Sequence, residues 1–212
     1  MSLKIYFGPG SVALAGLIAL EEANAEFEPV RVVLAEGEQR KPEFLALNKR
    51  GQVPVLIADG QVIAENIAVL TYIANRFPDA KLLPLGDPAK LARAYELLSW
   101  FATNVHIAIA QIARSERFSD NADVQAGLKE SGKVRLKGVL AEFDRAASGT
   151  WLLGEDFSVV DPLAFVAWRW AERFEIDLTP HRAWAALVDR IKARPSFVRA
   201  TAIESGLVTR AA

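Results

Sequence analysis

Four short stretches combine residue types and spacings that could do chemistry. The first is Tyr6–Ala23, YFGPGSVALAGLIALEEA, where a strand-like run passes through a glycine–proline turn into an amphipathic segment. A helix start exposes unpaired backbone N–H groups and the positive end of the helix dipole, which suits an anion or a thiolate. Ser11 is the hydroxyl of that turn; it can cap the helix, and it can also donate to an anion held there. The second stretch is Gly51–Leu56, GQVPVL, in which Pro54 cannot donate to a β ladder and so stands at the start or edge of a strand. A trans Val53–Pro54 bond is the ordinary form. A cis bond would turn the Val53 N–H and C=O outward, where a peptide-like ligand could pair with them as an added strand. Third, Glu65–Asn66 stands at a strand-to-helix junction. Asn66 is a good N-cap, the N–H groups after it suit a carboxylate, and Glu65 suits an ammonium group; simple capping explains the same pair. Fourth, His106 lies on a long apolar helical pattern with Thr103, Ala110 and Ala113 on its side. A neutral imidazole there could hydrogen-bond a sulfur or an electrophile, or serve only the core.

Composition narrows the chemistry. The 212 residues hold 25 basic and 26 acidic side chains, a net charge of −1, which leaves no electrostatic footprint for nucleic acid or an anionic membrane. Cysteine is absent, so disulfides, thiolate metal ligands and a cysteine nucleophile are excluded. With only two histidines, His106 and His181, a histidine-rich metal site is not expected. The first helix follows the strand-like LKIYF, and ALEEANAEF carries charge where a cleavage region needs small neutral residues. No run approaches the ~20 apolar residues of a membrane span. A cytoplasmic protein is expected.

The elements that must position these residues alternate in the first third of the chain. LKIYF and EPVRVVL (Glu28–Leu34) are short β-rich runs flanking a helix from about Ser11 to Asn24, a βαβ unit whose strands should lie parallel. A short helix around Pro42–Leu47 follows. PVLIA and QVIA are then separated by Asp59–Gly60, a two-residue hairpin signal, and helix returns over Asn66–Phe77. The order βαβ then ββα is the layout of an α/β thioredoxin-like domain, placed at residues 1–80. Three prolines and a glycine in Pro78–Pro88, PDAKLLPLGDP, mark a linker, placed at residues 81–88. Residues 89–212 read as an all-helical domain, with patterns over 89–114, 121–147, 158–174, 181–193 and 196–204.

The series KIYFGPGSVAL, NKRGQVPVL and AENIAVLTYIANRFP, followed by a proline-rich linker and an all-helical second half, resembles the cytosolic glutathione transferases, and most closely their bacterial members. The likeness extends to FSVVDPLAFVAWRW (Phe157–Trp170), where Ser158 and Asp161 keep the spacing of a capping box and count as folding apparatus. The resemblance implies a glutathione site in which Val53, before a cis Pro54, pairs with the cysteinyl backbone. It implies that Glu65–Asn66, in place of the usual Glu–Ser, holds the γ-glutamyl end. Gln52 should approach the tripeptide, and Lys49, Arg50 or Arg40 should meet its glycyl carboxylate. The family's two usual activating residues are replaced: Val12 stands where bacterial relatives carry cysteine, and Phe7 where other classes carry tyrosine. Tyr6 should point to the opposite sheet face. The remaining hydroxyl, Ser11, is the candidate donor to the glutathione thiolate, with His106 as the second candidate catalytic residue. The expected function is transfer of glutathione to a small hydrophobic electrophile in a detoxifying homodimer, with glutathione as co-substrate and no metal. The alternatives are a glutathione-dependent isomerase, dehalogenase or ether-cleaving enzyme, or a non-catalytic glutathione or ligand binder.

Overall fold

The computed structural model describes residues 2–208. Strand β1 (Leu3–Phe7) alternates in burial, with Leu3, Ile5 and Phe7 turned inward. Helix α1 (Leu14–Glu22) is buried at every position but its last, because other elements cover it on several sides. Strand β2 (Glu28–Arg31), a short helix α2 (Pro42–Leu47), strands β3 (Val55–Ala58) and β4 (Gln61–Ala64), and helix α3 (Asn66–Arg76) complete the α/β layout. The sheet order is β2-β1-β3-β4, with β2 parallel to β1 and the other pairs antiparallel. This is the βαβ-ββα arrangement expected from the sequence. The β3–β4 turn places Asp59 at φ 50° and Gly60 at φ 83°. Two successive left-handed residues give a hairpin turn whose twist matches that of the strands.

The second part is helical: α4 (Pro88–Trp100), α5 (His106–Ala113), α6 (Ala122–Ala146), α7 (Asp161–Arg173) and α8 (Arg182–Lys192), with α9 (Pro195–Ser205) closing the described chain. Asp87 caps α4 by accepting from the N–H groups of Ala89 and Lys90 at 3.1 Å. The single helix expected over 89–114 is interrupted: Phe101–Val105 form a π-helical turn that separates α4 from α5. Asp161 is fully buried and accepts from the Leu152 N–H (2.8 Å), the Ser158 N–H (2.8 Å) and the Ser158 hydroxyl (2.9 Å). The Ser158–Asp161 box therefore ties a loop as well as a helix start. Trp184 is also fully buried; its indole N–H donates to the Ala164 carbonyl at 3.1 Å and its ring stacks on Phe143.

By compactness the chain divides into one unit of residues up to Gly86 together with those from Ile191 onward, and a second unit of Asp87–Arg190. The sequence division assigned all of 89–212 to the helical domain; α9 instead packs on α1. Side chains explain why. Arg194 holds Glu22 through two N–H···O bonds of 2.5 and 2.8 Å, the Ser196 hydroxyl donates to the same carboxylate, and Arg199 Nε reaches Glu21 at 2.5 Å.

Candidate active site

Strand register decides which candidate residues meet. Tyr6 of β1 lies opposite Val55 of β3, and Val55 lies opposite Ala64 of β4. The C-terminal end of β1, the N-terminal end of β3 and the C-terminal end of β4 therefore share one end of the sheet. From them hang the Gly8–Val12 turn, the loop ending in Val53–Pro54, and the Glu65–Asn66 junction.

In the turn, Gly10 sits at φ +77°, a left-handed conformation that costs glycine nothing. The Ser11 N–H closes onto the Gly8 carbonyl at 3.1 Å, and the Ser11 hydroxyl oxygen accepts from the Ala13 N–H at 3.2 Å. Ser11 thus shapes the entry to α1. The Gly10 N–H donates to Glu204 Oε1 of α9 at 3.0 Å. Of the amides from Gly10 to Ala13, that of Val12 has no hydrogen-bond partner among the described residues. Phe7 and Val12 are both buried. Tyr6 faces the other side of the sheet, edge-on to Phe44 at 5.9 Å, in a surface groove shared with Val30, Val32 and Lys41. Alternation along β1 accounts for this placement.

The Val53–Pro54 bond is cis. Val53 forms no backbone hydrogen bond with a described residue. The loop before it is organised by Asn48, which sequence reasoning passed over. Asn48 is 7% exposed; its amide donates to the Gln52 carbonyl at 2.8 Å, its side-chain oxygen accepts from the Arg50 N–H at 3.1 Å, and its carbonyl accepts from the Gly51 N–H at 2.9 Å. An asparagine directly after a helix and before KRGQ is an Asx-turn signal. Gly51 stands at φ +61°, and a Cβ there would come within 2.9 Å of the Gln39 carbonyl oxygen, so the position requires glycine. Lys49 and Arg40 are exposed and form no ion pair with a described residue, whereas Arg50 pairs with Glu65 at 3.3 Å.

At the third segment the cap differs from expectation. Glu65, at φ 74°, is the N-cap residue, its carbonyl accepting from the Val69 N–H at 3.0 Å; Asn66 is the first helical residue. The positive φ of Glu65 makes the change of direction from β4 into α3, so the helix starts one residue earlier than a side-chain cap at Asn66 requires. No side chain caps α3, and the Asn66 Oδ1 is buried without a partner among the described residues. The N–H groups of Asn66, Ile67 and Ala68 begin the helix, and the Glu65 carboxylate stands exposed beside them.

His106, in the helical unit, is the first residue of α5, directly after the π-helical turn. Its ring stacks on Trp170 at 5.4 Å with Phe101 nearby at 6.4 Å, and it is exposed rather than part of the core. Among the described residues no cluster of three or more His, Asp or Glu could hold a metal ion, and no helix is long and apolar enough to cross a membrane.

The model of the glutathione S-transferase N-terminal domain matches residues 1–75, and that of the C-terminal domain matches residues 98–195. The chain is 27% identical over 205 residues, 95% of this chain and 98% of the other, to glutathione S-transferase GstA of Escherichia coli O157:H7. It is 27% identical over 191 residues, 86% and 85% of the two chains, to a probable maleylacetoacetate isomerase of Caenorhabditis elegans. A crystal structure of a glutathione transferase homologue from Sulfitobacter with bound glutathione superposes with a TM-score of 0.88 and 31% identity, covering 98% of this chain and 99% of that one. On fold, site layout and these likenesses, the chain belongs to the cytosolic glutathione transferase superfamily.

Proposed function

We propose that this protein is a glutathione transferase that joins the thiolate of glutathione to a small hydrophobic electrophile. The supporting observation is the convergence of three segments at one end of the sheet, each with groups that complement one part of the tripeptide. The Val53 N–H and C=O, unpaired among the described residues, suit the cysteinyl backbone. The N–H groups opening α3 suit the γ-glutamyl carboxylate, and Glu65 suits its ammonium group. Binding there exchanges the exposed Arg50 for the ammonium on Glu65 and releases Arg50 toward the glycyl carboxylate. Gln52, whose carbonyl is fixed by Asn48, lies in the same loop.

The thiol then belongs at the Gly8–Val12 turn. Val12 N–H supplies one donor to the sulfur anion. A hydroxyl that accepts one hydrogen bond can donate another, so Ser11 supplies a second. Both act at the positive end of α1, which lowers the thiol pKa toward neutrality and generates the nucleophile. His106 is assigned to the electrophile side, where a neutral imidazole can polarise the acceptor or steady its leaving group. Its working form on this reading is a cytoplasmic homodimer, and a monomeric mass by light scattering would refute the dimer. The maleylacetoacetate isomerase relative favours a second reading in which the same thiolate adds to a double bond and departs after isomerisation.

The test is the ultraviolet titration of bound glutathione. We expect its thiol pKa to fall by about one unit or more, about 1.36 kcal/mol per unit in favour of the thiolate. Ser11→Ala is expected to lose about tenfold or more in kcat with glutathione affinity changed by less than about threefold. Absence of glutathione binding overturns the reading, and unchanged turnover removes Ser11 from it. Parallel assays with aryl halides and cis-dicarboxylic alkenes separate conjugation from isomerisation.

A further inference from the structure

One carboxylate near the loop before Pro54 has no part in the proposed reaction, yet it organises the segment that leads there. After β2 the chain makes two short 3-10 turns, Leu34–Glu36 and Glu38–Arg40, joined at Gly37, and then enters α2. Glu38 closes the first turn. Its Oε2 accepts from the Val33 N–H at 2.7 Å, while its own N–H donates to the Val33 carbonyl at 3.4 Å. Its Oε1 accepts from Lys41 Nζ at 3.2 Å, and its carbonyl accepts from the Lys41 N–H at 3.1 Å. The bond from the Val33 amide, followed by that from Lys41, holds the Glu38 carboxyl below its usual value, so it is ionised at neutral pH and a strong acceptor.

The clamped segment bears directly on the loop. Gln39 lays its carbonyl oxygen so close to Gly51 that a Cβ on that glycine would come within 2.9 Å of it. The Gln39 side-chain amide donates to the Leu34 carbonyl at 3.4 Å, which ties this residue to the same turn. The Lys41 carbonyl opens α2 by accepting from the Phe44 and Leu45 N–H groups at 3.1 and 3.0 Å. Helix α2 leads in turn to Asn48 and its two side-chain hydrogen bonds within the loop. The Lys49–Gln52 stretch is therefore braced twice, by Asn48 from within and by the Gln39 carbonyl from outside.

We infer that Glu38 is a positioning residue for glutathione binding: its grip on the Val33 N–H seats the Gln39 carbonyl against Gly51 and so sets the loop that presents Val53 to the cysteinyl backbone. This rests on the function proposed above. The effect is on the fit of the bound tripeptide and not on its thiolate, so it belongs in KM and not in kcat. Three exchanges separate the elements. Glu38→Ala removes both side-chain contacts. Glu38→Gln keeps the reach and an acceptor oxygen for Val33. Lys41→Met leaves that bond in place and removes only the ion pair, in which the lysine side chain is 56% exposed and the pairing is worth little.

The experiment follows each variant by two readouts. In the free protein, NMR hydrogen exchange of the Val33 and Gly51 amides is expected to speed up about tenfold or more in Glu38→Ala and to stay within about threefold of wild type in the other two. The Gly51 amide, bonded to the Asn48 carbonyl, reports on the loop and not on the turn that Glu38 closes. With glutathione, Glu38→Ala is expected to raise KM about five- to tenfold, with kcat at saturation within about twofold and the bound thiol pKa unchanged. Glu38→Gln and Lys41→Met should keep KM within about twofold of wild type. Faster exchange at Val33 with wild-type exchange at Gly51 overturns the inference, because Glu38 then serves its own turn alone. So does wild-type exchange at both amides in Glu38→Ala, equal impairment of Glu38→Ala and Glu38→Gln or of Glu38→Ala and Lys41→Met, or a fall in kcat at constant KM. If the wild type binds no glutathione, the functional reading fails, while the two exchange rates still decide whether Glu38 braces the loop.

Discussion

Arg194→Ala is expected to destabilise the first unit by about 1.5–3 kcal/mol at neutral pH and by much less in acid. Truncating one partner of a buried, hydrogen-bonded ion pair costs about 3–5 kcal/mol because it strands the other charge. Here the Glu22 side chain is 14% exposed but that of Arg194 is 29%, so water retains part of the pair and the figure is discounted by roughly half. The pH dependence identifies the cause. Burial, the largest single influence on Glu22, pushes its carboxyl up; the hydrogen bonds from Arg194 and Ser196 and the charges of Arg194 and Arg199 together outweigh it and hold the group below 4.5. A carboxyl depressed on folding adds stability that is present above its unfolded value and is lost as pH falls through its folded value. Without Arg194, two of the four influences that lower the carboxyl are gone, and it titrates higher than in the wild type. The variant's penalty is therefore full at neutral pH and is relieved as pH falls through the carboxyl's range. Urea unfolding at pH 7 and pH 4, followed by hydrogen exchange of α9 amides, measures the gap between wild type and variant at each pH. A gap that is equal at both values, or wider in acid, refutes the reasoning. Glu22→Gln should cost less than Arg194→Ala, since the arginine head, on a side chain 29% exposed, can reach water.

Two further substitutions separate folding from binding. Asp161→Ala removes three acceptor contacts and orphans the buried N–H groups of Leu152 and Ser158, each costing about 1–3 kcal/mol, so a loss of about 3–5 kcal/mol in urea unfolding is expected. Asp161→Asn, which retains one acceptor oxygen, should recover part of that loss. Asn48→Ala releases the Lys49–Gln52 loop from two side-chain hydrogen bonds and should raise KM for glutathione about five- to tenfold, leaving kcat at saturation within about twofold. An effect of Asn48→Ala on kcat alone would place this loop with the turn rather than with binding.

What could be read from the chain beforehand follows from how far each signal reaches. The sheet was legible because strand alternation, the Asp59–Gly60 turn and the helix between LKIYF and EPVRVVL are local patterns that act over a few residues. The same alternation separates buried Phe7 from Tyr6 on the opposite face. The interruption at Phe101–Val105 was hidden, since a π-helical turn inserts one residue without breaking the apolar run of FATNVHIAIA. The cap at Glu65 was misplaced by one residue because its positive φ is set by the turn out of β4, while glutamate itself has no preference for that conformation. The return of α9 was hidden for a different reason. A proline-rich linker marks where a chain leaves one unit, but no local pattern records that it comes back. The return is held by Glu21, Glu22, Arg194, Arg199 and Glu204, which in sequence look like the solvated charges of two ordinary amphipathic helices. Only pairing turns them into a clamp, and pairing across 172 to 194 positions has no period to detect. The turn before α1 is thus local in sequence but not in structure: its residues lie within Gly8–Ala13, while the carboxylate that accepts from its Gly10 amide arrives with the last helix.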